Sequence, residues 1–237
     1  MALPVQNTPT YTLEIPSTKE KFKYRPFLVK EEKSLMIAQQ SEDTAVMMDT
    51  LKSIIQSCAR SNIDVDKLAT FDLEYIFCQV RSKSVGELVD LIFFCDDCDD
   101  EKANVRVSFD VSAINITETE GHTKKIPLFD DVGIMMKYPN LDTITELMVV
   151  DGEDINEISK VVAKCIDYIY NTEEIFYAKD QTVEELTQFL DNLTQEQFNK
   201  IQHFFDTMPR LEQPVRFKCP VCTKEHNKVL RGLTNFF

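Results

Sequence analysis

The sequence predicts an α+β protein, mostly helical, with an N-terminal β-hairpin and a pair of further β-hairpins, distant in sequence, that work together. Three observations lead to it. Apolar residues alternate between Tyr11 and Tyr24, as half-buried strands require. Apolar stripes at steps of three and four occupy much of the chain between residues 31 and 82, and again after Asn140. Two Cys-x-x-Cys turns each lie between strand-like runs.

In order along the chain, Tyr11, Leu13 and Ile15 precede Pro16-Ser17-Thr18-Lys19-Glu20, and Phe22 and Tyr24 follow it, so the first hairpin turns there and ends at Pro26. Residues 31–39 and 42–60 read as amphipathic helices, the second with Met47, Leu51, Ile54, Ile55 and Cys58 on one face. A third helix over 71–82 carries Leu73, Ile76, Phe77 and Val80, with Thr70 as cap and Gly86 near its end. Residues 88–94 and 105–111 then read as strands flanking Cys95-Asp96-Asp97-Cys98, and 117–139 as irregular with short extended pieces. Helices return with four starts of the S/T/D-x-x-E/Q type: Thr143 with Glu146, Asp154 with Glu157, Thr182 with Glu185, and Thr194 with Gln197. The second of these carries Ile155, Ile158, Val162, Cys165 and Ile169, and the last Phe198, Ile201 and Phe205. Extended runs at 215–218 and 228–230 flank Cys219-Pro220-Val221-Cys222. The expected segments are therefore 1–86 (hairpin plus helices), 87–113 (first cysteine hairpin), 114–213 (irregular segment, then helices) and 214–237 (second cysteine hairpin and tail).

Composition narrows the function. The chain has 237 residues, 43% of them hydrophobic, which is enough for a real core. Lys and Arg number 26 against 40 Asp and Glu, a net charge of −14 that argues against direct DNA binding, because such a surface replaces phosphate counterions with Lys and Arg. The apolar run Leu91-Ile92-Phe93-Phe94-Cys95 meets Asp96 far short of the roughly 20 residues a membrane span needs, and Met1-Ala2-Leu3-Pro4-Val5-Gln6 lacks the features of a secretion signal. A cytoplasmic protein with no membrane partner is expected. Seven cysteines fit a reducing compartment better than a disulfide framework, and Cys58, Cys78 and Cys165, single among apolar residues, read as small buried hydrophobes.

The other four cysteines form the two turn-borne pairs. Two residues between ligands let a tight turn aim both sulfurs, together with backbone N–H groups, at one ion, and two such turns complete a tetrahedron of the soft ligands that suit zinc. Cys95, Cys98, Cys219 and Cys222 are thus expected to hold one structural Zn2+ per chain in a zinc-ribbon-like pair of hairpins. About 120 residues separate the pairs, and two independent redox or inert pairs are the alternative, although neither pair opens a helix after a strand as a thioredoxin-type motif does. Local charge favours pairing: Asp96, Asp97, Asp99, Asp100 and Glu101 crowd the first tip, whereas Arg216, Lys218, Lys224, Lys228 and Arg231 face only Glu225 at the second. His226 offers a Cys-x-x-Cys-x-x-x-His alternative for one ligand, while His122 and His203 have no ligand-spaced neighbours. Four thiolates close the coordination sphere, and the sequence carries no phosphate loop, His-Glu-x-x-His, Gly-x-Ser-x-Gly or nucleotide fingerprint, so no catalytic residue, small-molecule substrate or enzymatic activity is expected.

Tyr24-Arg25-Pro26-Phe27-Leu28-Val29-Lys30-Glu31-Glu32-Lys33, Phe71-Asp72-Leu73-Glu74-Tyr75-Ile76-Phe77 running into Arg81-Ser82-Lys83-Ser84-Val85-Gly86-Glu87, and Cys219-Pro220-Val221-Cys222 followed by 230–237 give the chain a family likeness. In these segments it resembles the baseplate hub proteins of T-even-like contractile-tailed bacteriophages. The resemblance implies a late, non-enzymatic virion-assembly protein made in the infected host cytoplasm, a hub component or hub-assembly factor whose partners are other baseplate hub proteins. The competing reading is a zinc-stabilised phage regulator that binds host transcription machinery or nucleic acid through its basic C-terminal ribbon.

Two further features are candidate partner contacts. Arg81 and Lys83 make a basic turn in an acidic chain, and the plainer reading is a helix C-terminus whose cations answer the dipole. Leu233, Phe236 and Phe237 crowd the last five positions with large apolar side chains, to be packed either on this chain's own hairpins or in a groove of a hub partner.

Overall fold

A computed structural model describes residues 7–41, 43–98, 101–149 and 155–232. The fold is mixed α+β and opens with the expected N-terminal β-hairpin. In chain order the elements are β1 (Tyr11–Glu14), β2 (Lys21–Tyr24), α1 (Val29–Ser41), α2 (Thr44–Cys58), α3 (Thr70–Ser84), β3 (Leu88–Phe93), β4 (Val105–Asp110), β5 (Ile116–Thr117), β6 (Lys125–Phe129), β7 (Val132–Met136), α4 (Leu141–Val149), α5 (Ile155–Lys164), β8 (Ile166–Tyr170), β9 (Ile175–Tyr177), α6 (Val183–Asp191), α7 (Gln195–Thr207), β10 (Arg210–Lys218) and β11 (Glu225–Arg231). They divide into two compact units, one built from the segments up to Val65, Phe71–Thr117 and from Arg210 onward, the other from Asp66–Thr70 and Glu118–Pro209. Among the described residues no helix is long and apolar enough to cross a membrane.

In the first unit β1 and β2 pair antiparallel, Tyr11 opposite Tyr24 and Leu13 opposite Phe22, and the alternation sends Phe22 and Tyr24 into the core. The intervening turn is anchored where the Ser17 amide donates to Oδ1 of the fully buried Asp72, at 2.9 Å. Beyond β2 the backbone continues pairing with the end of α2: the Arg25 amide donates to the Cys58 carbonyl and the Arg60 amide to the Lys23 carbonyl, at 2.9 and 2.8 Å. Asp43 caps α2 by accepting the amides of Ala45 and Val46; Glu42, where the sequence placed the helix start, lies outside the described residues. The predicted stripe of α2 is buried at Leu51, Ile54, Ile55 and Cys58. Helix α3 goes further and buries residues on several faces, including Phe71, Leu73, Ile76, Phe77, Cys78 and Val80, so it serves as the central rod of this unit. At the start of α1, Arg25 and Glu31 form a buried ion pair with Nη2 to Oε1 at 2.8 Å. The hairpin β3–β4 and the three-stranded sheet β11-β10-β5 complete the unit.

The second unit is a four-stranded antiparallel sheet in the order β6-β7-β8-β9, with a core in which Ile126, Leu128, Ile134, Met136 and Ile166 cluster with Val162, Leu186, Leu190, Ile201 and Phe204 from α5, α6 and α7. This corrects the expected irregular-then-helical layout of 114–213. The stripe through Cys165 and Ile169 does not continue as helix; α5 stops at Lys164 and β8 begins at Ile166. Ile166, Tyr168, Ile169 and Tyr170 are β-branched or aromatic, and pairing with β7 on one side and β9 on the other outweighs a weak three-four periodicity. Complete capping boxes form at Thr182 with Glu185 and at Thr194 with Gln197. The expected box at Thr143 does not: Asn140, the better cap residue, accepts the Thr143 amide at 3.0 Å and starts α4 one turn earlier. Asp154 lies outside the described residues.

Gly133 in the central strand β7 illustrates how tightly this sheet is covered. A Cβ there would collide with the hydroxyl of Tyr170 and lie 2.7 Å from the Ile126 carbonyl oxygen. The tyrosine could swing away but the paired strand cannot, so Gly133→Ala is expected to cost about 1–3 kcal/mol. Urea denaturation would read this as a lower midpoint, and an unchanged midpoint would show that β6 yields freely.

Candidate metal centre

The two cysteine turns are held by hairpins of fixed register. Strands β3 and β4 pair from Leu88 opposite Asp110 to Phe93 opposite Val105, and β10 and β11 pair from Glu212 opposite Arg231 to Lys218 opposite Glu225. Strand alternation puts Phe93 and Cys95 on one side of the first hairpin, and Phe217 and Cys219 on one side of the second. The Phe93 and Phe217 rings stack at 5.2 Å between centroids, and just beyond them Cys95 and Cys219 are buried together with Ala103 and the half-buried Cys98. An aromatic layer therefore backs a sulfur layer.

The second turn is closed by the Cys219 amide donating to the Lys224 carbonyl at 2.9 Å and the Thr223 amide donating to the Cys219 carbonyl at 3.0 Å. Thr223 takes a left-handed conformation (φ 61°), which a β-branched residue adopts only where the surroundings impose it. Within the turn the amides of Val221 and Cys222 point at the Cys219 sulfur, at 3.4 and 3.5 Å. Cys95 and Cys222, 127 residues apart, bring their sulfurs to 3.7 Å, and Cys98 and Cys219, 121 residues apart, to 3.9 Å. All four sulfurs lie within 4.8 Å of one another. A disulfide needs about 2.05 Å, whereas a tetrahedron of sulfurs each about 2.3 Å from a central ion has edges of about 3.8 Å. The cysteines are free thiols with the spacing of a metal cage.

Acidities in the cluster follow from the same geometry. The amides of Cys222 and Val221 bring the Cys219 thiol down to about 7 against the opposing effect of burial. Hydrogen bonding to Cys222, with burial, pushes Cys98 up to about 12, and burial raises Cys95. Cys219 ionises readily while Cys95 and Cys98 resist, as expected of crowded groups that cannot all be charged without a cation among them.

Around the sulfurs the charges pair as the sequence suggested: Lys224 Nζ lies 2.6 Å from Asp97 and Lys228 Nζ 3.1 Å from Asp96. The Lys224 hydrogen bond holds the Asp97 carboxyl below its usual range. These pairs are exposed and screened by solvent, so they orient the tips more than they hold them. Asp99 and Asp100 lie outside the described residues. Sequence reasoning underestimated His226, whose Nε2 is 3.2 Å from the Cys95 sulfur of the opposite hairpin. The signal was its position four residues after Cys222, read only as a substitute ligand.

The remaining sequence candidates lie elsewhere. Lys83, in the last turn of α3, pairs at 2.6 Å with Glu87 beyond the helix end, and Nη1 of Arg81 is buried without a hydrogen-bond partner among the described residues, a burial that lowers the guanidinium's pKa. Phe236 and Phe237 lie outside the described residues. Cys58, Cys78 and Cys165 are buried as expected.

Two hairpins from remote parts of the chain, meeting at a cage of four thiols, define a structural protein fastened by a cysteine cluster able to bind a metal. The chain belongs to the T4 bacteriophage base plate protein family, whose model matches residues 8–237. No curated protein and no solved structure matches it. Members of such a family are parts of a phage baseplate and not catalytic domains, so the chain works through contacts with other baseplate proteins and not as an enzyme.

Proposed function

We propose that this chain is a baseplate hub component or hub-assembly factor whose remote hairpins form a zinc ribbon around one structural Zn2+ held by Cys95, Cys98, Cys219 and Cys222. The observation that carries the metal reading is the convergence of sulfurs 121 and 127 residues apart to edges of 3.9 and 3.7 Å. Zinc fits a soft, closed tetrahedral donor set, and when bound it supplies attraction among thiolates that would otherwise repel one another. The chain's own part is to present the sulfurs with amides directed at them and to surround an over-negative site with Lys224 and Lys228. Assembly takes place in the infected host cytoplasm, and other hub proteins are the partners.

Elemental analysis of the purified chain is expected to find one zinc per molecule, and co-purification from infected cells to recover tail proteins. Recovery of host RNA polymerase without tail proteins would replace this reading with that of a zinc-stabilised regulator. Against the regulator stands the pairing of its basic C-terminal residues: Lys224, Lys228 and Arg231 are engaged by Asp97, Asp96 and Glu212.

Arg81, Lys83, Phe236 and Phe237 are the proposed partner contacts. Lys83→Glu is the cleaner probe of the basic turn, because Arg81 is partly buried and its loss would disturb packing. Combined Phe236→Ser and Phe237→Ser substitutions are expected to leave the melting temperature unchanged while hub proteins no longer co-purify. A fall in melting temperature with partners retained would assign the two rings to the chain's own packing.

A further inference from the structure

We infer that His226 is the positioning residue of the cysteine cage, its Nε2–H donating to the Cys95 sulfur so that the second hairpin fixes a ligand carried by the first. The inference rests on the four-cysteine metal reading and deepens it. The two turns are unequal. Cys219 receives two backbone amides, those of Val221 and Cys222. Toward Cys95 the turn directs the amide of Asp97, while the Cys98 amide bonds to the Cys95 carbonyl and not to its sulfur. A thiolate on a dication already bearing three others carries excess negative charge, and N–H donors are what relieve it. At 3.2 Å from the Cys95 sulfur, His226 Nε2 stands where a second donor belongs.

The ring is held for that task. His226 is the cross-strand partner of Phe217, its imidazole stacks on that ring at 4.9 Å and 12°, and Phe217 in turn stacks on Phe93. His226 is buried, and the stack runs from one hairpin into the other. The groups it converges with are Cys95 and the Asp97 carboxylate, whereas the set of four mutually close sulfurs is complete without it. It reaches one ligand and not the centre of the cage. Its action is to orient Cys95 through the hydrogen bond, with the proton on Nε2.

The test compares the full chain with His226→Phe, which keeps an aromatic ring for the Phe217 stack but removes the donor, and His226→Gln, which restores an N–H. Each is titrated with Co2+, followed by its visible and sulfur-to-metal charge-transfer bands, and then with Zn2+ in competition. All three are expected to show the same four-thiolate Co2+ spectrum. The Phe variant is expected to bind Zn2+ about 10- to 100-fold more weakly, and the Gln variant to recover most of that loss. Equal Zn2+ affinity in the Phe variant would overturn the role, as would a Gln variant no better than Phe. A changed thiolate count between wild type and Phe variant would overturn it in favour of His226 as a ligand. A wild-type chain that takes up neither ion would instead remove the metal reading beneath it.

Discussion

Removal of the metal, or Cys219→Ser, is expected to destabilise the chain by about 3–5 kcal/mol, more than any single surface change. A metal at this site would join residues 121 and 127 positions apart and so cross-link a very long loop, and a link across a loop of about 100 residues restricts the unfolded chain by roughly 4–5 kcal/mol. Binding energy at such a site is folding energy, because the unfolded chain has no cage to offer. The surface pairs at the same tips supply a control: Lys224→Ala removes the contact with Asp97, an exposed, solvent-screened pair whose loss is expected to change stability little. Thermal melts with and without chelator, with zinc added back, would therefore show a large reversible shift in the wild type, none in Cys219→Ser, and a near-normal shift in Lys224→Ala. Equal melting with and without chelator would eliminate the metal as a staple.

The cysteine cage was legible in the sequence because each half is a local motif. A Cys-x-x-Cys turn between alternating strands declares both its geometry and its ligands, and the opposite charges of the tips indicated which turn would meet which. The N-terminal hairpin and the capping boxes at Thr182 and Thr194 were legible for the same reason: their patterns are complete within a few residues. Strand β8 was not, since Cys165 and Ile169 fit the helical stripe that begins at Ile155, and only the availability of β7 and β9 as neighbours decides. The contact between His226 and Cys95 was hidden too. It depends on how two hairpins face each other, which no periodicity within one hairpin encodes.

Burial of polar groups is equally invisible to periodicity, and Glu31 shows it. Read along the sequence, it is an acid in the first turn of a helix; in the fold it is buried with Arg25, accepting from the guanidinium at 2.8 Å, from the Leu28 amide at 2.7 Å and from the Ser57 hydroxyl at 3.0 Å. Arg25 also donates to the carbonyls of Ser57 and Pro26, so β2, the start of α1 and the end of α2 meet at one charge pair. Burial alone would raise the Glu31 pKa, but these hydrogen bonds outweigh it and hold the carboxyl at about 2, against an ordinary 4.5.

Glu31→Gln is accordingly expected to cost about 3–5 kcal/mol at pH 7, because it leaves the Arg25 guanidinium buried without a counter-charge. The depressed pKa fixes the sign of the pH dependence: the stabilisation is fully present above about pH 4.5 and is lost as pH falls toward 2, amounting to about 3 kcal/mol for this group. Denaturant titrations of wild type and Glu31→Gln at pH 7 and pH 3 would show the gap between them narrowing in acid, since at pH 3 the carboxyl of the unfolded chain is protonated and the stability gained by ionising it in the fold is partly lost. Taking the difference removes the contributions of the other acids. A combined Arg25→Met and Glu31→Leu variant is expected to be far more stable than Glu31→Gln, because with both groups gone no buried charge is left without its counter-charge. A gap as wide at pH 3 as at pH 7 would show that the ionised carboxylate is not what joins these three elements.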